Sequence, residues 1–439
     1  MVHFAIISVP FPSHVQAHEA LACALIDRGH SVSWVGPAGV LRQIVDQRIR
    51  RCEVGRTRWP TDWTQSMVNR AARPGSPWGL RRVIQDMGDH SETLCDEGRQ
   101  ILRQICADVL IVDEMEAAGA LLGDALGLPW ISVACALPLA REPSVPLPVM
   151  HWGLATDTRA LHRNAVSERI YDWLMGPHAA RMKKLCAMLG ARSRTSLVDG
   201  LSPWLQLSQT TAEFDFPRAQ APRQLRHVGP LRQQHPDDLV DGLCCLAQRD
   251  SKPFVFASLG TLQGWRFGLF KRIALACRAI DARLLIAHCA RLNKAQCNAL
   301  ERAGATWVTD FAPQRAALAR ADVCVTHAGL NTVLDALEAG TPVLALPIAF
   351  DQPGVAARAV HAGVGLSMLP AFATSASIAR ALQRLLGEPT FRDRAAVLSA
   401  SVAAAGGTRA AVDAIEKALC LPQRLRTSQT VAEKATYAT

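Results

Sequence analysis

His327, Gly329, Asn331 and Thr332 crowd into one turn directly after the apolar run 323–326. A strand that ends in such a turn and opens a helix presents free backbone N–H groups and a partial positive charge, which suits a diphosphate. Gly329 lets the backbone approach closely, Thr332 can cap or donate, and His327 adds a donor. Glu338 lies a turn or two further along that helix, placed to accept from ribose hydroxyls. Phe311 can stack on a flat base, and Asp351 and Gln352 follow the next strand, where a sugar carried by the diphosphate would sit. Taken singly, each has an ordinary reading as a turn glycine, a structural histidine or a solvated glutamate. The ordered set is what carries weight: Phe311-Ala312-Pro313-Gln314, then His327 to Thr332, then Glu338, Pro347 and Asp351-Gln352.

The elements that must hold these residues are legible along the chain. Residues 2–9 read as an apolar strand, Pro10-Phe11-Pro12-Ser13 as a turn, 15–28 as a helix stopped by Gly29, and 31–35 as the next strand. The unit recurs as strand 108–112, helix 115–126, a stop at Gly127 and Pro129, and strand 130–134. Crossovers of this kind join parallel strands, so the N-terminal half reads as doubly wound α/β. The Pro-rich loop 138–148 leads into an irregular, helix-leaning stretch reaching about residue 198. A second β/α series follows, with strands over 254–257, 284–287, 306–309, 323–326 and 343–346. The expected division is an N-terminal domain over 1–235, a polar linker over 236–251, a C-terminal domain over 252–420 and a flexible tail over 421–439. Two such domains share a natural ligand site, the cleft where both sheets present the C-terminal ends of their strands.

Bulk properties narrow the classes. The chain has 439 residues, 49% apolar and 20% charged, enough for two well-filled cores. Its 13 cysteines show no Cys-x-x-Cys pair and no zinc spacing, which favours a reducing cytosol. No apolar run approaches the roughly 18 residues of a membrane helix, and residues 1–12 lack the basic start of a signal peptide. A cytoplasmic location is expected, peripheral at the inner face of the membrane if lipid is contacted. The formal charge of +10 favours acidic partners. Residues 40–82 hold ten arginines against three acids, with Trp59, Trp63 and Trp78 interleaved. A solvated face is the ordinary reading; contact with an anionic membrane is the sharper one. No nucleic-acid signature accompanies the charge. No Gly-x-Gly-x-x-Gly opens either domain, since Gly363-Val364-Gly365 lacks the third glycine, which counts against a nicotinamide oxidoreductase.

The ordered set at 311–352 resembles the nucleotide-sugar signature of family 1 UDP-glycosyltransferases, whose GT-B fold faces two Rossmann-like domains across a cleft. The resemblance implies that Phe311 stacks on uracil, where plant members usually have Trp, and that Ala312 meets the base through its backbone. Gln314 and Glu338 would hold the ribose, His327, Gly329, Asn331 and Thr332 the diphosphate, and Asp351 and Gln352 the sugar hydroxyls. Ser258-Leu259-Gly260-Thr261 looks like the family's second phosphate-facing loop, with Ser258 and Thr261 as contacts. Ala328 and Leu330 depart from the Cys or Gly and the Trp of plant members. His14 stands at the position of the family's catalytic base, preceded by Ser13 where members often have Gly, and Asp113 matches the Asp that orients it. An alcohol is a poor nucleophile near neutral pH, so a histidine must take its proton as the C–O bond forms, and the imidazolium needs an orienting carboxylate. His18, one helical turn on, is the alternative base; His14 is preferred because it is expected on a cleft-facing loop. Glu114 and Glu116 are expected to point elsewhere. With no Asp-x-Asp pair to hold a divalent metal, the helix terminus and His327 would meet the leaving-group charge, implying metal-independent, inverting transfer with no cofactor.

Residues 110–120, 131–139, 171–175, 256–264 and 349–355 are similar to the bacterial zeaxanthin glucosyltransferases within that family. This closer resemblance implies UDP-glucose as donor and the ring hydroxyls of zeaxanthin, a carotenoid, as acceptors, glucosylated in turn. The apolar stretch 131–150 could line the acceptor channel, or be a buried strand and loop. Other lipophilic alcohols, such as a macrolide or sterol, remain open as acceptors. A GT-B-fold nucleotide-sugar epimerase, or a non-catalytic nucleotide-binding module, would need no His14–Asp113 dyad.

Overall fold

Strand registry brings the chemistry-bearing residues together. The computed structural model describes residues 1–60, 62–73, 76–233 and 251–420. The linker expected over 236–251, apart from Ser251, and the tail expected over 421–439 lie outside them. Among the described residues, the N-terminal half contains a seven-stranded sheet of β1 (His3–Ile7), β2 (Ser31–Gly36), β3 (Arg50–Glu53), β4 (Val109–Asp113), β5 (Trp130–Ala134), β6 (Gln206–Ser208) and β7 (Leu225–His227). Its order is β3-β2-β1-β4-β5-β6-β7, parallel throughout. The second sheet contains β8 (Phe254–Ser258), β9 (Arg283–Ala287), β10 (Trp307–Thr309), β11 (Val323–Thr326), β12 (Val343–Ala345) and β13 (Gly365–Ser367), in the order β10-β9-β8-β11-β12-β13. It too is parallel. Strands β4, β5 and β8 are buried along their whole length, as expected where helices cover both faces of a parallel sheet.

Both sheets reverse strand order at one place, β1/β4 and β8/β11, and ligands of open α/β sheets bind at such switch points. In the first sheet Ile7 pairs with Val112, so the chain leaving β1 passes Asp113. In the second, Thr326 pairs with Ser258, which sets the loops carrying Gly260 and His327 side by side.

Two differences from the sequence reading bear on function. The first helix spans Pro12–Asp27, not 15–28, with Pro12 in its first turn. Proline's fixed φ and missing N–H fit a helix start, so Ser13 and His14 belong to that turn and not to a loop. The stretch up to 198 contains two regular helices, Thr158–Leu174 and Gly176–Leu189. Asp157 caps the first by accepting from the Ala160 N–H, and left-handed Gly190 ends the second.

The last described helix, Gly407–Cys420, returns to the N-terminal half. Ala411, Val412 and Ile415 pack in one core with Leu21 and Leu25, and Arg28 pairs with Asp413 and Glu416. A buried ion cluster also ties the halves: Arg358 Nε lies 2.6 Å from Asp215 Oδ1, and Arg218 Nε lies 2.8 Å from Asp215 Oδ2.

Candidate active site

His14 sits in the first turn of its helix, almost fully buried, with Nδ1 2.6 Å from Asp113 Oδ2. Asp113 Oδ1 accepts from the Met115 N–H at 2.9 Å, so both carboxylate oxygens are fixed. Burial works against charge on both groups. The mutual attraction and hydrogen bond outweigh it, holding the Asp113 carboxyl below its ordinary range and the His14 imidazole above its own. A histidine anchored at Nδ1 in this way presents Nε2 as its remaining base.

His18 is fully buried, with Nδ1 2.9 Å from the His14 carbonyl oxygen and its ring edge-on to Trp34. Its buried Nε2 meets no polar partner, and burial depresses its pKa. It supports the His14 turn and does not face the cleft. Glu116 caps the Ala117–Leu126 helix and binds His90 and Ser91, while Glu114 accepts from the Leu139 N–H at 3.0 Å. Burial pushes the Glu114 carboxyl up to about 7, against that hydrogen bond. His14, Asp113 and Cys135 offer ligand atoms within 4.8 Å of one another. The His14–Asp113 hydrogen bond already occupies that space, and burial raises the Cys135 thiol well above its ordinary value. The trio suits a shared proton better than a cation.

At the facing switch point, β11 runs into His327, Ala328 at φ +63° and Gly329, the N-cap of the Leu330–Glu338 helix. No side chain caps this helix, so its first N–H groups stay available to a ligand. A Cβ at Gly260 would lie 2.6 Å from the His327 ring, and one at Gly329 2.5 Å from it. The two glycines therefore clasp the imidazole between bare backbones. Burial pushes His327 down to about 4, so it is a neutral ring that donates without a charge. Ser258 Oγ accepts from the Gly260 N–H at 3.3 Å, and Thr261 is exposed beside it.

The other signature residues take distinct places. Phe311 is 68% exposed and Ala312 packs on the core below it. Gln314 donates to Asp335 at 2.6 Å, Glu338 pairs with Arg315 at 2.8 Å, and Thr332 is buried. Asn331 donates to the Ser13 carbonyl at 3.4 Å, so the helix that opens at Gly329 touches the turn carrying His14. Asp351 Oδ2 accepts from the Leu137 N–H at 3.2 Å, and burial raises its carboxyl. Gln352 is buried and turned back onto the Ile348 and Ala349 N–H groups. Phe350, at φ +58°, meets Phe11 with ring centroids 5.8 Å apart. Loop 349–352 thus reaches across the cleft to the residues around His14.

Sequence reading missed Arg232, Gln209 and Asp335. Arg232 stretches from Gln209 in the first half to Asp335 and the Asn331 carbonyl in the second. Asp335 stands four residues after Asn331 on one helix face, the single local signal that could have found it. Within the basic segment 40–82, Arg48 pairs with Asp27 and Asp46, Arg58 with Glu92 and Asp96, and Arg70 with Asp86. Arg73 lies over the Trp265 ring at 3.7 Å. Trp59 and Trp63 stack on each other at 3.8 Å, leaving Trp78 as the exposed indole of that run.

The family model described as UDP-glucoronosyl and UDP-glucosyl transferase matches residues 13–402. Zeaxanthin glucosyltransferase of Pantoea ananas is 44% identical over 439 residues, covering 100% of both chains. That of Pseudescherichia vulneris is 43% identical, covering 95% of this chain and 98% of its own. Among solved structures, the glycotransferase of kitacinnamycin superposes with TM-score 0.73 at 20% identity, covering 95% of this chain and 99% of that one. The glycosyltransferase VinC in complex with dTDP gives 0.65 at 21%, with the same coverage.

Proposed function

The chain belongs to the UDP-glucoronosyl and UDP-glucosyl transferase family, and from that premise we propose that it moves glucose from UDP-glucose to the hydroxyl groups of zeaxanthin. It is a UDP-glycosyltransferase of the GT-B fold. The observation that carries the reaction is the His14–Asp113 pair, held at 2.6 Å at one switch point and facing the uncapped helix terminus of the other. The choice of acceptor rests on the 44% identity over the whole length to an enzyme named for zeaxanthin.

In the proposed reaction the diphosphate lies on the first turn of the Leu330–Glu338 helix with neutral His327 beside it. Uracil stacks on Phe311, and the glucose hydroxyls reach Asp351 and Gln352. His14 Nε2 takes the hydroxyl proton of the acceptor as its oxygen attacks the glucose C1. The bond from C1 to the diphosphate oxygen breaks on the opposite face, with inversion. Asp113 stabilises the imidazolium, and the helix terminus takes up the charge leaving with UDP. No step calls for a metal. Zeaxanthin carries a hydroxyl on each ring, so a second turnover gives the diglucoside. Among the described residues no single helix is long and apolar enough to cross a membrane. We place the enzyme in the cytoplasm, peripheral at the inner face of the membrane, with exposed Trp78 marking the contact within 40–82.

Incubation of the full chain with UDP-glucose and zeaxanthin in detergent, following UDP release and pigment polarity, tests this reading. One UDP should appear for each glucose gained. Transfer to a different lipophilic alcohol, with zeaxanthin untouched, would keep the reaction class and remove the acceptor.

A further inference from the structure

The Thr158–Leu174 helix lies on the molecule the wrong way round for a soluble helix. Only Asn164 and Ser167 are buried, both polar, while Ile170 is 53% and Trp173 77% exposed. Arg159, Arg163, Val166, Ile170 and Trp173 follow spacings of three and four, so they form one stripe, with Arg169 beside it. Arg159, Arg163 and Arg169 are exposed, and none has an acidic partner among the described residues. The acids of the helix, Glu168 and Asp172, lie off that stripe and pair with Arg141, Asp172 remaining half exposed. Cationic arginines around a bare indole and an aliphatic residue are the composition of a helix that lies in a lipid headgroup layer.

The helix is fastened to the wall of the candidate site. Asn164 donates to the Pro143 carbonyl at 3.0 Å, and Arg141 meets Asp172 at 2.5 Å. Both partners belong to the loop whose Leu139 N–H binds Glu114 and whose Leu137 N–H binds Asp351. The geometry points to the outer face of the Thr158–Leu174 helix as a docking surface for an anionic bilayer, which sets the loop beside His14 at the lipid surface. A second copy of the chain is a poorer occupant, because a symmetric contact would bring these cations, Arg163 over the Trp152 ring among them, against their own like. The purpose of the surface rests on the lipophilic-acceptor reading; its evidence does not.

The test uses the full chain, wild type against Arg159→Glu/Arg169→Glu and against Trp173→Ser, floated with vesicles of phosphatidylcholine containing phosphatidylglycerol or of phosphatidylcholine alone. Wild type should float with the anionic vesicles and release in high salt. The double charge reversal should weaken binding at least about tenfold, and Trp173→Ser should also weaken it. Turnover of detergent-dispersed zeaxanthin should stay within about twofold, while turnover of vesicle-embedded zeaxanthin should fall with flotation. Loss of flotation without any carotenoid turnover in wild type would refute the acceptor and keep the surface. Variants that float like wild type would overturn the proposal, as would a wild-type dimer in sedimentation that the variants split.

Discussion

Arg358 crosses from the second half of the chain to place its Nε 2.6 Å from Asp215 Oδ1, and both side chains are buried. Arg218 takes the other carboxylate oxygen, and the Arg358 guanidinium lies over the Phe216 ring at 4.5 Å. Arg358 belongs to the Gln352–His361 helix, whose first turn also receives loop 137–148, with the Gly354 N–H bonded to the Pro148 carbonyl at 3.0 Å. The helix that follows loop 349–352 is therefore also a tie between the two halves.

Asp215→Asn should cost about 3–5 kcal/mol at neutral pH, because it leaves two guanidiniums buried without a full counter-charge. Burial opposes ionisation of Asp215, but both arginines overcome it and lower its pKa to about 2. A carboxyl depressed in the folded state stabilises above its unfolded value near 3.8, and that stability drains away as pH falls towards 2. Urea unfolding from pH 7 downward should show wild type and variant converging in that window. A constant gap across it would refute the ion-pair account.

Glu114 gives the opposite sign. Its folded carboxyl keeps a proton up to about 7, against 4.5 when unfolded, so it lowers stability as pH rises between those values. Glu114→Gln should match wild type near pH 4 and exceed it at pH 8 by on the order of 3 kcal/mol. An equal difference at both pH values would show that the charge is not responsible.

Gly329→Ala should weaken UDP binding at least about tenfold through strain of roughly 1–3 kcal/mol, since its Cβ would meet the His327 ring. His327→Ala removes the obstacle. The double variant should then bind better than the sum of the two losses, read by calorimetry with UDP. Simple additivity would mean that the clasp around His327 does not shape the donor site.

Asp113→Asn keeps the shape of the dyad and removes its charge. The acid limb of kcat/KM in wild type should lie above the ordinary imidazole value of 6.5, because Asp113, with Asp351 adding to it, holds the proton on His14. The variant should lose about 10²–10⁴-fold in rate and shift that limb to lower pH. A limb that does not move would place the titrating group elsewhere.

The doubly wound character of both halves was legible because buried parallel strands are short apolar runs punctuated by glycine and proline, as at Val109–Asp113 and Trp130–Ala134. The 311–352 set was legible for a different reason: a strand-turn-helix with an uncapped N-terminus keeps its glycine and its polar residues close in sequence. Contacts made at long range were not. Arg232 with Asp335 and Arg358 with Asp215 are 103 and 143 residues apart, and no local period marks them. The return of Gly407–Cys420 to the first core was hidden likewise, because its amphipathic pattern says that it packs but not where. His14 was assigned to the right neighbourhood and the wrong element, since proline was read as a turn where it opens a helix.

If His14 is the base and the donor is held independently of it, catalysis and donor binding separate on substitution of His14. Paired measurements on His14→Ala test this most directly: the steady-state rate of UDP release with acceptor, and the dissociation constant of UDP. The rate should fall by about 10²–10⁴-fold while UDP affinity stays within about twofold of wild type. Transfer that survives with its rate intact would contradict the assignment of His14 as the base.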